Sequence, residues 1–417
     1  MKKFLACKSL VFHLIMLNRG VDLLPKTQQS KPSISFQRST HGKNLKKKIL
    51  IVGMSESPHL HTWIEGIEES RIVNRIWLFP SDFPIRKHTN KAISIKEFPY
   101  MLFGKLTNVT FRGLDVLTNR LWRSLFLFYE IKRIKPTHLH FHETQHGAYI
   151  YNAIARHPKN KFQGKLILST WGSDLIVYGR TQSHQSRVKE VMSWVNLLTS
   201  ERIEDLPIAK SNGFTGKFLA PTYITVGNRN FDFDSTKTSE RTLVLIKGYQ
   251  DNHGRALNAL ASIELLSSEI DLNRFKFRVF SASESVSLKT ELLRSEFGID
   301  IEVLPRMPKA TLMKYFGEAR VYIGLAISDG LSTSMVEAMT HGAFPIQSKN
   351  SSAPEFLENS VTGGVVDPWN IPEIANILKN ALLDDELVIN AARINLETLR
   401  SKYDWEIGLS SLVEIYD

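Results

Sequence analysis

Short apolar runs alternate with longer amphipathic stretches along most of the chain. KILIVG at Lys48–Gly53 is apolar after its first residue, which predicts a parallel strand covered on both faces. A helix is expected from about His59, a strand at Arg75–Phe79, a helix at Leu121–Ile134 and a strand at His138–His142. A helix at Gly147–Arg156 and a strand at Lys165–Thr170 continue the series. A polar stretch, Gly227–Glu240, interrupts it, and the alternation restarts with a strand at Thr242–Ile246 and a helix at Ala256–Leu266. Phe275–Ser281 and Ile301–Leu304 read as strands and Pro308–Ala319 as a helix. The run Val321, Tyr322, Ile323 and Leu325 reads as a buried strand. A helix follows from near Ser334 to His341-Gly342, then a strand at Ala343–Ile346, and a last amphipathic helix runs from Tyr403-Asp404-Trp405 to Tyr416. Strands alternating with helices predict an α/β protein with open, doubly wound sheets.

The polar turn between the Val321 strand and its helix carries the most chemistry: Ser328-Asp329-Gly330-Leu331-Ser332-Thr333. A strand running through a glycine turn into a helix aims backbone N–H groups beyond the strand end, where the helix dipole favours an anion. Asp329 and Glu337 flank this turn eight positions apart, and carboxylates accept hydrogen bonds from ribose and sugar hydroxyls. Two plainer readings stand beside this one. Ser334-Met335-Val336-Glu337 is also a capping box, and Asp329-Gly330 is also an ordinary turn pair.

Other strand-end loops hold Ser55-Glu56-Ser57, Glu143-Thr144-Gln145 and Trp171-Gly172-Ser173-Asp174. Ligands on open α/β sheets sit beyond the carboxyl ends of strands, so Ser55, Trp171 and Asp174 are candidates. Ser173 or Asp174 in a tight glycine turn also suits a helix N-cap. His138, His140 and His142 share one strand face, but no cysteine accompanies them and no metal is expected.

Charge divides the chain. Residues 1–240 hold 36 Lys+Arg against 18 Asp+Glu, a net +18, and residues 241–417 hold 17 against 24, a net −7. The basic half predicts an anionic partner, either nucleic acid or an acidic membrane surface. Residues 96–135 interleave basic residues such as Arg120, Arg123, Lys132 and Arg133 with aromatics, as at a membrane interface. A core helix with a solvated basic face would carry the same pattern. The single cysteine, Cys7, permits no internal disulfide and fits a reducing compartment. No apolar run reaches the roughly 18 residues of a spanning helix. Phe4–Leu17 is interrupted by Lys8 and His13 with no small-x-small site after it, so no signal peptide is expected. Residues 1–45 read as an extension and linker that either lies on a membrane surface or reflects an upstream start.

The Asp329–Gly342 stretch resembles the donor-site signature of family-4 retaining glycosyltransferases, which have the GT-B fold. Their two glutamates stand eight apart, the second followed by Ala-Met or Ala-Leu and a glycine. Here Asp329 replaces the first, and Glu337 is followed by Ala338-Met339 and Gly342. The resemblance implies that Asp329 lies by the transferred sugar and Glu337 binds ribose, with Gly330, Leu331, Ser332 and Thr333 at the donor. It also implies a pyrophosphate clamp on the loop after the Thr242–Ile246 strand. Lys247 stands where the family has Arg and His253 where it has Lys, with Arg255 close behind. Asp329 and Lys247 are thus the expected catalytic residues. Trp171 stands where some members carry a loop histidine. Ala353-Pro354-Glu355 and Gly363–Pro368 also follow the family pattern.

These readings predict two Rossmann-like domains facing each other across a cleft. Residues 46–226 would form the acceptor domain, 227–240 a linker, 241–402 the nucleotide-sugar donor domain and 403–417 a terminal helix. The expected function is retaining transfer from a nucleotide sugar to a glycan or lipid-linked acceptor in cell-surface polysaccharide or lipopolysaccharide assembly. No cofactor and no nucleic acid are expected. The expected location is cytoplasmic, peripheral on the inner membrane's cytoplasmic face. A nucleic-acid-binding protein using the basic half, and an inactive GT-B scaffold, are the alternatives.

Overall fold

The computed structural model describes residues 47–55, 57–73, 75–81, 121–231 and 238–417. The expectations for residues 1–45, Glu56 and the basic-aromatic stretch 96–120 lie outside the described residues.

Two six-stranded parallel sheets form the frame. The first holds β1 (Lys48–Gly53), β2 (Arg75–Pro80), β3 (His138–His142), β4 (Lys165–Thr170), β5 (Leu197–Ser200) and β6 (Lys217–Leu219), in the order β2-β1-β3-β4-β5-β6. The second holds β7 (Leu243–Lys247), β8 (Lys276–Phe280), β9 (Ile301–Val303), β10 (Ala319–Gly324), β11 (Phe344–Ser348) and β12 (Gly364–Val366), in the order β12-β11-β10-β7-β8-β9. Both are doubly wound, and alternation along single strands shows why. In β1, Leu50 and Val52 enter one core while Ile49 and Ile51 enter the core on the opposite face. In β7, Val244 and Ile246 face one core, Leu243 and Leu245 the other. A strand with both faces covered must be apolar at every position, which is why these runs were legible.

Strand order reverses at β1–β3 in the first sheet and at β7–β10 in the second. The crevice beyond the carboxyl ends at such a point is where this architecture takes ligands.

Several boundaries move. Gly147–Arg156 divides into a π-helical turn, Glu143–Ala148, and an α-helix, Tyr149–Ala155. Glu143 opens that turn at φ 65, left-handed backbone that a side chain seldom adopts. The helix expected from Ser334 spans Thr333–Thr340 with Ser332 at its N-cap, and Gly342 takes φ 78 just past its end.

The terminal helix, Trp405–Tyr416, does not stay with the second lobe. Trp405, Leu412, Ile415 and Tyr416 complete the first lobe's core against Ile49, Ile51, Trp63 and Ile67. Tyr416 Oη accepts from Trp63 Nε1 at 3.0 Å and lies 2.6 Å from His140 Nδ1, while His140 Nε2 lies 2.8 Å from Ser169 Oγ. His140 thus spends both ring nitrogens inside the core. Burial holds His138 near 4, His142 near 3 and His140 well below the ordinary range, so all three are neutral.

Candidate active site

The loops after β7 and β10 are zipped together. Arg255 N donates to Leu325 O at 2.9 Å and Ile327 N to His253 O at 2.8 Å. Asp251 Oδ1 folds the first loop by accepting from the amides of His253 (2.8 Å) and Gly254 (2.7 Å). A side chain at Gly254 would overlap the backbone of Tyr249, so only glycine closes this turn.

The zipper brings Lys247 Nζ to 3.8 Å from Asp329 Oδ2 and 5.0 Å from the Tyr249 ring. Burial opposes the charge on Lys247. Asp329 foremost, then Tyr322, Tyr249 and Glu337, outweigh it and hold the ammonium above its ordinary value. Glu337 Oε1 lies 2.8 Å from Lys309 Nζ. It closes no capping box, because the N-cap is Ser332, two residues before Ser334, and that cap makes no side-chain bond. Lys247, Asp329 and Glu337 therefore form one charged group at the switch point. Arg255 is turned onto its own loop, donating to Asp251 O (3.1 Å) and Gly254 O (2.5 Å) with its guanidinium 4.7 Å over the Trp369 ring.

The first lobe closes on this turn through backbone. A side chain at Gly172 would overlap Gly330 N and Asp329 C, and one at Gly330 would overlap Glu201 Oε2. Ser328 Oγ donates to Gly172 O at 3.0 Å. Glu201, the residue after β5, is the main tie. Its Oε1 accepts from Ile224 N and its Oε2 from Leu331 N, both at 2.9 Å. Its carbonyl accepts from Ser352 Oγ at 2.9 Å. Burial pushes the Glu201 carboxyl up to about 8 against the pull of those two amides. Of the turn amides expected to face an anion, Leu331 N–H is given to Glu201 and Gly330 N–H to Asp329 Oδ1 at 3.0 Å.

On the acceptor side, Ser55 is buried and its carbonyl lies 2.8 Å from His61 Nε2. Asp174 is 2 % exposed, with its carboxylate consumed by Trp171 N (2.6 Å), Thr144 N (2.6 Å) and the Thr144 hydroxyl. Asp174 thus fastens the β3 loop to the β4 loop rather than reaching into the cleft. Burial, then Glu143, push it up to about 7. Trp171 is half-buried, between His59 and His142, with ring centroids 6.0 and 6.3 Å away. Glu201 was not singled out in the sequence: it contacts a turn 130 positions away, and no local spacing records that.

Two sheets with ligand-type crevices opposed across a cleft define the GT-B architecture, as the sequence led us to expect. The family described as glycosyl transferases group 1 matches residues 229–395, a span that takes in most of the second lobe. A sucrose synthase from Melioribacter roseus is 24% identical over 123 residues, which is 28% of this chain and 16% of that protein. Among solved structures, the alpha,alpha-trehalose-phosphate synthase (UDP-forming) of Burkholderia vietnamiensis covers 89% of this chain and 99% of its own, with TM-score 0.65 and 13% identity. The sucrose-phosphate synthase of Thermosynechococcus elongatus covers 89% and 98%, with TM-score 0.64 and 11% identity. These likenesses show the fold. None of them supports the nucleic-acid alternative.

Proposed function

We propose that this protein is a glycosyltransferase that takes a sugar from a nucleotide sugar and transfers it with retention to a glycan or lipid-linked acceptor. The observation that carries the reading is the Lys247–Asp329 pair, 3.8 Å apart at the switch point of a lobe that matches the glycosyl transferases group 1 family. A lysine held charged in a half-buried crevice stabilises phosphate oxygens far better than one in water. On this reading Asp329 beside it accepts a sugar hydroxyl and Glu337 accepts from ribose.

In the reaction we infer, the bond from the anomeric carbon to the β-phosphate oxygen breaks and the nucleoside diphosphate leaves with that bonding pair. The acceptor oxygen bonds to the same face of the anomeric carbon, and its proton passes to the departing phosphate. Lys247 meets the charge that grows on the leaving group, so the scheme needs no cofactor.

The acceptor reading rests on the first lobe. Leu121, Leu125 and Tyr129 are 52%, 61% and 39% exposed at helical spacing on Leu121–Ile134, with Lys132 on the same helix. An apolar stripe with basic residues beside it suits attachment to an acidic membrane surface, where lipid-linked acceptors and surface-polysaccharide assembly would be met. No helix among the described residues is long and apolar enough to cross a membrane. Arg123, grouped with that basic face in the sequence, instead donates to Ser81 O.

The test is a panel of nucleotide sugars screened by thermal stabilisation, followed by product analysis with a membrane lipid extract. A ligand at 100 times its dissociation constant adds about 2.7 kcal/mol. Stabilisation by one nucleotide sugar and a glycosylated product is expected; no stabilisation by any would refute the reading.

A further inference from the structure

The first lobe has a switch point of its own, between β1 and β3, and His59 stands in the first turn of the helix that follows β1. The stretch between β1 and that helix is pinned rather than loose. Ser57 N donates to Met54 O at 3.1 Å, His61 N to Ser57 O at 3.2 Å, and His61 Nε2 lies 2.8 Å from Ser55 O. Pro58 then opens the helix Pro58–Ser70 and fixes its first turn. The next side chain, His59, is thereby presented from a rigid support at the carboxyl end of the sheet.

Its surroundings come from both lobes. The imidazole meets the Trp171 indole edge-on, centroids 6.0 Å apart and planes at 88°. The residue after Trp171 is Gly172, whose backbone abuts Asp329 and Gly330 so closely that no Cβ fits between them. His59 is therefore one ring away from the Asp329 turn. The groups that act on its charge include three from the donor lobe: Lys309 and Lys247 disfavour it and Asp329 favours it, while burial, the largest influence, disfavours it. The imidazole is thus neutral, partly accessible and within electrostatic reach of Lys247 and Asp329.

We propose that His59 contacts a hydroxyl of the transferred sugar, holding it from the acceptor lobe while Asp329 holds it from the donor lobe. This rests on the donor-site reading above. A neutral imidazole offers one N–H and one bare nitrogen, which suits a hydroxyl and suits a phosphate poorly. Lys247 already takes the anionic part of the donor. A sugar seated between the two lobes would be gripped only when they are together, so His59 makes a closed cleft selective for a loaded donor over a bare nucleotide. His142 and Trp171, the other rings at this end of the sheet, do not compete for the role. His142 is fully buried, and Trp171 has a donor but no acceptor.

The experiment compares wild type, His59→Ala and His59→Gln with UDP and UDP-sugars as the first probes, and with the diphosphate and sugars of whichever base the nucleotide-sugar screen selects if that is not uridine. Titration calorimetry gives the affinities, and slow transfer of the sugar to water gives turnover. In His59→Ala, UDP affinity should stay within about twofold of wild type, while the extra affinity conferred by the sugar and the turnover both fall at least about tenfold. His59→Gln, which keeps a donor and an acceptor, should recover a substantial part. The wild-type acid limb, set where the imidazole gains its proton below the ordinary histidine range, should be absent in His59→Gln. Turnover within twofold of wild type in His59→Ala, or UDP affinity falling in parallel with that of the sugar nucleotides, would overturn the assignment. A wild-type protein that binds no nucleoside diphosphate and no nucleotide sugar of any base would overturn the donor-site reading and the role of His59 with it.

Discussion

Glu201→Ala removes the tie between the lobes while leaving Lys247, Asp329 and Glu337 themselves unaltered. Two buried amides, Ile224 and Leu331, lose their acceptor. An orphaned buried donor costs about 1–3 kcal/mol, so at pH 6 the change should cost about 2–4 kcal/mol, less if water reaches Leu331 as the lobes part. The pH dependence has a definite sign. Folding raises the Glu201 carboxyl from its ordinary 4.5 to about 8, so the folded state binds the extra proton. The wild-type contribution is then complete below 4.5 and is lost as pH rises toward 8 and beyond. The gap between wild type and Glu201→Ala should therefore narrow between pH 6 and pH 9. Amide hydrogen exchange at Leu331 reads the tie directly, because local opening sets its protection, and urea unfolding at both pH values gives the whole-protein figure. A difference below about 0.5 kcal/mol at pH 6, or a gap that widens with pH, would refute the clasp.

Other expectations follow from the same geometry. Lys247→Ala should lower turnover at least tenfold, about 1.4 kcal/mol or more, and Lys247→Arg should retain activity; steady-state kinetics with the donor found by screening decides. Glu337→Gln should weaken nucleotide-sugar binding while leaving unfolding within about 0.5 kcal/mol of wild type, since Glu337 caps nothing; calorimetry and denaturation separate the two effects. Gly330→Ala should destabilise by about 1–3 kcal/mol because its methyl group meets Glu201 Oε2, and pairing it with Glu201→Ala should relieve part of that cost. Leu125→Gln with Lys132→Gln should reduce sedimentation with acidic vesicles, and wild-type binding should fall as salt rises; equal binding to neutral vesicles would reject the membrane reading.

The meeting of Lys247, Asp329 and Glu337 at one switch point was legible because these residues are close in sequence or end neighbouring strands. Lys247 closes β7, and Asp329 and Glu337 stand either side of one helix start. What failed was local arbitration. Ser332, Thr333 and Ser334 are three successive cap candidates, and only the fold selects Ser332, which dissolves the capping box at Glu337. Contacts across the cleft were invisible for a different reason. Glu201 is one acid among 42 Asp and Glu residues, and nothing beside it announces a bond to Leu331. The histidine alternation in β3 did predict a shared face, but not that Tyr416, 276 positions on from His140, would occupy that face. Asp174 was rightly placed at a strand end, yet its burial commits it to backbone amides.

The return of the terminal helix to the first lobe sets an order of events during synthesis. The last strand of the first sheet, β6, ends at Leu219, while Trp405, Leu412, Ile415 and Tyr416 are needed to finish the core over Ile49 and Trp63. A ribosome adding about 5–20 residues per second needs on the order of ten to forty seconds to make the roughly 200 residues between them. Throughout that interval one face of the nascent first lobe is uncovered, with His140 and Trp63 still waiting for Tyr416. The second lobe is contiguous in the chain and free of this delay, so the lobe made first is the one completed last.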